Sequence, residues 1–437
     1  MDIISAIRDR QHEKYRLHEA YVNPFVSRLL LESGVSTDIV TAAGVQFTDR
    51  EGRSYLDLNA ASGVFLLGRN HPAIVQAIIA VASAGLPNLP KIDVSLLAGM
   101  LAERILSHIP HLDRVFFANS GAEATEAAMK FARAATGRNS FAFCQTGFHG
   151  LTFGALSLNA SSLLKDAVGP FLGNCHAVPF NDLDALERLL ASQQIAAFFV
   201  EPIQSNGIQM PLPNYLPEVQ QLCKTYGTLL IADEIQTGLG RTGRFLASEH
   251  FGIKPDLVLL AKGLSGGFVP IGAVAVSAPV FDALFDRHDK RIIHGSTFAR
   301  NDLAMAAGLA TLAILDEEGL VTRAARLGDL LIEGLSAIIK PLGPTYRVRG
   351  RGMMIGVEMI DDHVKGNLIA PGRARQAFLE LLREHAILCE DAGLERGLFI
   401  LRPPLIISDQ EIERVVAAFG KILEPQPVEL KSAGVPR

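Results

Sequence analysis

No part of the chain reaches the roughly 18 uninterrupted apolar residues that a membrane-spanning helix needs, so no membrane partner is expected. The opening stretch, Met1–Arg10, is mixed in charge and has none of the apolar core of a secretory signal. Cysteine is scarce. The four present (Cys144, Cys175, Cys223 and Cys389) lie far apart, with no CxxC pair and no metal-like cluster. A reducing, cytoplasmic setting without a bound metal is therefore expected. There is no long basic block and the net charge is −5, which argues against a nucleic-acid partner. Internal repeats and low-complexity tracts are also missing.

What is present reads as a globular protein. Apolar residues make up 49% and charged residues 20%, and 437 residues suggest about two or three domains. Residues 1–40 read as helical and amphipathic, with Leu29-Leu30-Leu31 at their apolar centre. Alternation on either side of Asp49-Arg50-Glu51-Gly52 predicts a hairpin. From about residue 73 helical and strand patterns alternate. Strands are predicted at 114–118, 140–144, 196–201, 228–233, 256–261 and 272–277. Runs such as Leu229-Leu230-Ile231-Ala232 suit strands buried on both faces of a mostly parallel sheet, so the expected class is α/β. After Asn301-Asp302 a long apolar helix leads into a smaller α+β unit. The expected division is an N-terminal segment, 1–58, belonging to the small domain; a large domain, 59–317; the C-terminal part of the small domain, 318–425; and a loose tail, 426–437.

Asp233 and Lys262 fall at the C-terminal ends of two predicted buried strands, the edge at which open α/β sheets bind ligands. Buried charge needs a reason. Alone, the two residues fit a structural ion pair equally well. They also fit pyridoxal phosphate, which needs an amine, an acid facing its ring nitrogen, a phosphate cup and a group to fix its ring. Lys262 offers the amine and Asp233 the acid, and Gln236 offers a hydrogen bond to the ring hydroxyl. Asn119-Ser120-Gly121-Ala122 follows one predicted strand and opens the helix predicted over 123–135, where free backbone N–H groups and the helix dipole favour phosphate. Ser120 by itself would be an ordinary N-cap. Phe148 can stack on a planar ring, although by itself it would be plain core and His149 a satisfied loop histidine.

Together these segments resemble class III aminotransferases, the fold type I group that includes ornithine, acetylornithine, 4-aminobutyrate and putrescine aminotransferases. The resemblance spans roughly residues 40–420. It is carried by Asn119–Ala124, Gly147-Phe148-His149-Gly150, Glu201-Pro202-Ile203-Gln204, Asp233-Glu234-Ile235-Gln236-Thr237-Gly238, Gly240-Arg241-Thr242-Gly243, Lys262-Gly263-Leu264-Ser265-Gly266-Gly267 and His294-Gly295-Ser296-Thr297-Phe298. It implies a pyridoxal-phosphate transferase fold of type I, with a mostly parallel seven-stranded-type sheet in the large domain. It implies that Lys262 is the Schiff-base lysine and proton carrier, that Asp233 meets the pyridine nitrogen, and that Gln236 touches the ring hydroxyl. Ser120, Gly121 and Ala122 would bind phosphate, Phe148 would stack on the ring beside His149, and Glu201 would be the supporting acid. Thr297 would reach the phosphate of a neighbouring subunit, which implies a homodimer with shared active sites. Arg402 resembles the arginine that binds an α-carboxylate, and Val64 and Phe65 should line the mouth.

Two departures bear on the substrate. Leu151 stands where relatives carry a carboxylate-gripping arginine, and Asn206 where many carry a glutamate that parks the C-terminal arginine. A bidentate arginine–carboxylate pair is among the stronger side-chain contacts, so its loss matters. The expected reaction is ping-pong transfer from an amine or ω-amino donor to a keto acid or aldehyde. A racemase or aminomutase of the same fold remains an alternative. A more distant one is an acyl hydrolase, because Gly263-Leu264-Ser265-Gly266-Gly267 matches GxSxG.

Overall fold

The structure is a computed structural model that describes residues 2–32, 37–89, 92–285, 293–344, 346–359, 371–391 and 397–423. The expected tail, 426–437, lies outside these. The chain begins with helices at Ile3–Arg10, Lys14–Tyr21 and Pro24–Glu32. A three-stranded meander follows: β1 (Ile39–Ala43), β2 (Gln46–Asp49) and β3 (Ser54–Asp57). Seven strands then build the central sheet: β4 (Arg114–Ala118), β5 (Ser140–Cys144), β6 (Cys175–Val178), β7 (Ile195–Val200), β8 (Leu229–Asp233), β9 (Leu257–Leu260) and β10 (Gly272–Val276). Their order is β4-β10-β9-β8-β7-β5-β6. Four of the six pairings are parallel; only those of β10 with β4 and with β9 are antiparallel.

This pattern sets the position of the site. Because β4 and β9 are both antiparallel to β10, β4 runs in the same direction as β5, β7, β8 and β9. All five therefore present their C-terminal ends along one edge. The residues that follow them (Asn119–Ala122, Gly147–Gly150, Glu201, Asp233 and Lys262) come together there although they are far apart in sequence. β7 and β9 are buried at every residue, as their unbroken apolar runs require.

The helix after β4, Gly121–Thr136, starts at Ser120, whose side chain caps it, and ends where Gly137 turns left-handed at φ +67°. Its buried face is mostly alanine with Phe131, so it lies close against the sheet. After the long buried helix Asp302–Glu317 and the helix Leu320–Ile339 come β11 (Tyr346–Arg351), β12 (Met354–Met359), β13 (Ile387–Leu388), β14 (Glu390–Asp391) and β15 (Leu398–Leu401), then the closing helix Asp409–Leu423. β11, β12, β15 and β14 form one antiparallel sheet. β13 instead pairs with β3, joining the two ends of the chain.

Arg241 fastens three remote segments. It is buried, and its guanidinium donates to the carbonyls of Gly63, Met353 and Pro403. Its own carbonyl accepts from Met353 N at 2.8 Å. These charge-assisted bonds take the place of a carboxylate partner. Arg241→Ala is expected to destabilise the fold by about 4 kcal/mol, since three carbonyls lose a charged donor. The readout is a lower urea midpoint at fixed protein concentration. Lysine reaches one carbonyl at most, so Arg241→Lys should recover little of the loss.

Candidate active site

Lys262 follows β9 with a left-handed backbone, φ +42°, a strained conformation for a residue with a side chain. Its amine donates to Gln236 Oε1 rather than to Asp233. The oxygens of Asp233 are engaged elsewhere: Oδ2 is 2.7 Å from His149 Nδ1, and Oδ1 accepts from Ile235 N at 3.1 Å. The direct Lys262–Asp233 ion pair that the sequence left open is therefore not what the structure builds. Burial, then the nearby positive charge of Arg402, push the Lys262 amine down to about 8, against the pull of Glu201, Asp233 and Glu390. The neutral, nucleophilic form of the amine is thus far more populated near physiological pH than in an ordinary lysine.

Behind Lys262 lies a buried charged cluster. Burial disfavours charge on His149, but the hydrogen bond and negative charge of Asp233 outweigh it and its pKa is raised. Burial and the neighbouring Asp233 raise the pKa of Glu201. Glu201 also ties two loops together, accepting from Phe148 N at 3.0 Å and Ser205 N at 2.9 Å. Glu234, also buried, accepts from Ala247 N, from Ser248 N and Oγ and from Thr237 Oγ1, which fixes the turn carrying Asp233 and Gln236. Thr125 Oγ1 donates to His149 O at 2.9 Å, anchoring the phenylalanine–histidine loop to the helix after β4.

At that helix's N-terminus, Ser120 Oγ accepts from Glu123 N at 3.1 Å. The hydroxyl proton is not used in that cap, so Ser120 can still donate one hydrogen bond. The N–H groups of Gly121 and Ala122 belong to the first turn, which has no intrahelical acceptor for them. A Cβ on Gly121 would lie 2.8 Å from Ile235 Cδ1, so a larger residue there would have to push that side chain aside.

Val64, Ser120, Gly121, Ala122, Phe148, His149, Glu201, Asp233, Gln236 and Lys262 all line one cavity of about 490 Å³. A second cavity, of about 800 Å³, contains Arg402 and shares Phe148, Ser205, Gln236 and Lys262 with the first. Lys262 thus stands at the boundary of two chambers. Three singled-out residues lie elsewhere. Phe65 packs over Gly267, with the Arg69 guanidinium 4.1 Å from its ring. Leu151 is exposed on the loop after Gly150, and Thr297 is exposed on the turn after Gly295. Sequence reading missed Glu390 and Ser205, which contact Arg402, and Ile235 and Phe268, which line the first cavity. It also left Ser265 open as a hydrolase nucleophile. Here Ser265 Oγ closes a turn by donating to Val269 O at 2.5 Å, and the chain continues into β10, not into the helix an elbow requires.

Residues 32–423 match the family described as Aminotransferase class-III, and the chain belongs to that family. It is 33% identical over 464 aligned residues to aminotransferase PigE of a Serratia species, covering 97% of this chain and 54% of that protein, so it spans about half of that relative's length. It is 38% identical over 377 residues to acetylornithine aminotransferase of Methanosarcina mazei, covering 85% of this chain and 88% of that one. Among solved structures, ornithine aminotransferase of Toxoplasma gondii superposes with a TM-score of 0.84 at 31% identity, covering 97% of each chain; pyridoxal phosphate partly occupies its active site.

This is a class III aminotransferase, and its cofactor is pyridoxal phosphate. The residues present fit that group. Gln236 lines the cavity, and its Nε2, which lies against Gly63, is a buried donor without a hydrogen-bond partner. The amine, the acid and the open first turn of a helix surround the same space.

Proposed function

We propose that Lys262 anchors pyridoxal phosphate covalently and then carries the proton to and from the substrate's α-carbon. The observation that carries this reading is the Lys262 amine, buried and lowered to about 8, at the boundary of the two cavities. When bound, the cofactor supplies an aldehyde for amines to join and a protonated ring that draws electron density from the substrate. Asp233 holds the proton on the ring nitrogen, and His149 orients Asp233 from behind. Ser120, Gly121 and Ala122 receive the phosphate. Gln236 Nε2 donates to the ring hydroxyl, Phe148 covers a ring face, and Glu201 keeps the two flanking loops in place.

The donor is an amine or ω-amine and the acceptor a keto acid or aldehyde, taken in turn. Support comes from the polar, largely neutral lining of the second cavity, including Asn159, Ser161 and Asn206, and from Leu151, which offers no charge to a second carboxylate. The working unit is a cytoplasmic homodimer in which Thr297 serves the partner's phosphate site. Its support is the exposure of Tyr21, Phe25 and Leu29 on the N-terminal helices and of Phe298 beside Thr297, and, for the compartment, four free cysteines. No described helix is long and apolar enough to cross a membrane. Residues 1–58 and 318–425 act as one small domain beside 59–317, a division supported by the β3–β13 pairing.

Borohydride trapping tests the site. Cofactor-free protein mixed with pyridoxal phosphate and then reduced should carry a phosphopyridoxyl tag on Lys262. The capture rate should rise with pH to a midpoint near 8, because only the neutral amine attacks. A tag elsewhere, no tag, or a midpoint near the ordinary lysine value overturns the assignment. Sedimentation of the same sample checks the assembly: a monomer that still captures the cofactor would end the dimer proposal alone.

A further inference from the structure

Arg402 enters the second cavity already paired. It stands just beyond β15, where Ile400 lies opposite Glu390 of β14. Alternate residues of a strand share a face, so Glu390 and Arg402 are diagonal neighbours across the ladder, within reach of long side chains. Arg402 Nη1 donates to Glu390 Oε2, and Nη2 donates to Ser205 O at 2.9 Å. The Arg402 side chain is 4% exposed and that of Glu390 26%, so the carboxylate is the partner closer to water. Arg402 Nε is buried without a hydrogen-bond partner.

Among the described residues, the charged lining of this chamber consists of Lys262, Arg402 and Glu390. Lys262 is committed to the amine chemistry. The chamber therefore offers a carboxylate one guanidinium, and Glu390 already neutralises it. A carboxylate brought to Arg402 meets a like charge on the same group, which disfavours binding until Glu390 withdraws. A substrate with a methyl group in that place meets no such charge and leaves the pair intact.

We propose that Glu390 is a specificity-determining residue. It keeps Arg402 closed as an ion pair while an amine without an α-carboxylate occupies the site, and it must be displaced before an α-carboxylate is bound. One chamber can then receive an uncharged donor and a carboxylate-bearing acceptor in alternate half-reactions, with Arg402 Nε as the spare donor for the second. This rests on the reading of Lys262 and its two cavities as the amino-transfer site.

The test uses the holoenzyme as wild type, E390Q and R402Q. Propionate, an unreactive carboxylate, is titrated by calorimetry. E390Q should bind it about tenfold more tightly than wild type, while R402Q should bind it more weakly than either. In steady state, alanine and isopropylamine differ by carboxylate against methyl. In E390Q, KM for alanine should fall about tenfold with kcat held, and KM for isopropylamine should stay level or rise. If E390Q does not accumulate folded, E390D, which draws the carboxylate back by one methylene, gives the same comparison. Protein that takes up no pyridoxal phosphate and transfers no amino group sinks the underlying reading. A coloured, active holoenzyme whose E390Q variant binds propionate no more tightly than wild type sinks the role of Glu390 alone.

Discussion

Lys262→Ala is expected to lower amino transfer by about 10⁴-fold, the upper end of what a positioned proton carrier contributes, while the fold survives. The side chain makes one hydrogen bond, to Gln236, and its backbone is already strained at φ +42°. Alanine keeps that backbone and removes an amine that is costly to bury. Thermal stability should therefore hold, and the variant should still bind pyridoxal phosphate reversibly through the helix N-terminus at Ser120 and through Asp233. Stopped-flow observation of one half-reaction reads the loss. Added methylamine should restore part of the rate, because a small free amine can enter the cavity that alanine leaves. A purely structural lysine would show neither the large rate loss at unchanged stability nor the rescue. Activity within tenfold of wild type would place the chemistry on another residue.

The part of this site that could be read from the sequence is the part that chain direction dictates. Strands β4 and β5 begin and end where their apolar runs predict, and β7, β8 and β9 differ by a residue at one or both ends. Once those runs are strands of a mostly parallel sheet, Asp233 and Lys262 must share an edge. β1 and β6 escaped because each is a short, largely unburied strand at a sheet edge, without the unbroken apolar run of a central strand. The partner of Asp233 escaped for a different reason: His149 is 84 positions away, and only the loop anchored by Thr125 brings it back.

Glu390 was hidden by length. A two-residue strand has no periodicity to detect, and its pairing with β15 is a tertiary event. The available signal was an apolar run, Ala386–Cys389, ending in an acid, followed by a second run ending at Arg402. Folded back antiparallel, those runs place the two charges diagonally. The N-terminal helices make the opposite point. Their amphipathic pattern was legible, yet Leu29, Leu30 and Leu31 remain exposed: periodicity shows which face of a helix is apolar, not what covers it.

Asp233→Asn should cut amino transfer by about 10³-fold, on the scale of losing one preorganised electrostatic partner. Asparagine keeps the shape but has no charge to hold a proton on the ring nitrogen, so the ring's pull on electrons weakens. The change also reaches His149, whose raised pKa depends on the hydrogen bond and charge of Asp233 overcoming burial. A histidine raised in the folded state adds stability that is fully present below its unfolded value, about 6.5, and lost as pH rises through the folded value. The stability gap between wild type and D233N should therefore be widest just below pH 6.5 and narrow as pH climbs past the raised His149 value. Urea midpoints at several pH values read the gap, and single-turnover rates read the chemistry. Asp233→Glu retains the charge at a shifted position, so it should preserve more of the pH dependence than of the rate. A D233N enzyme within tenfold of wild type, or one whose stability gap does not vary with pH, would mean that the carboxylate neither governs the ring nitrogen nor charges the histidine behind it.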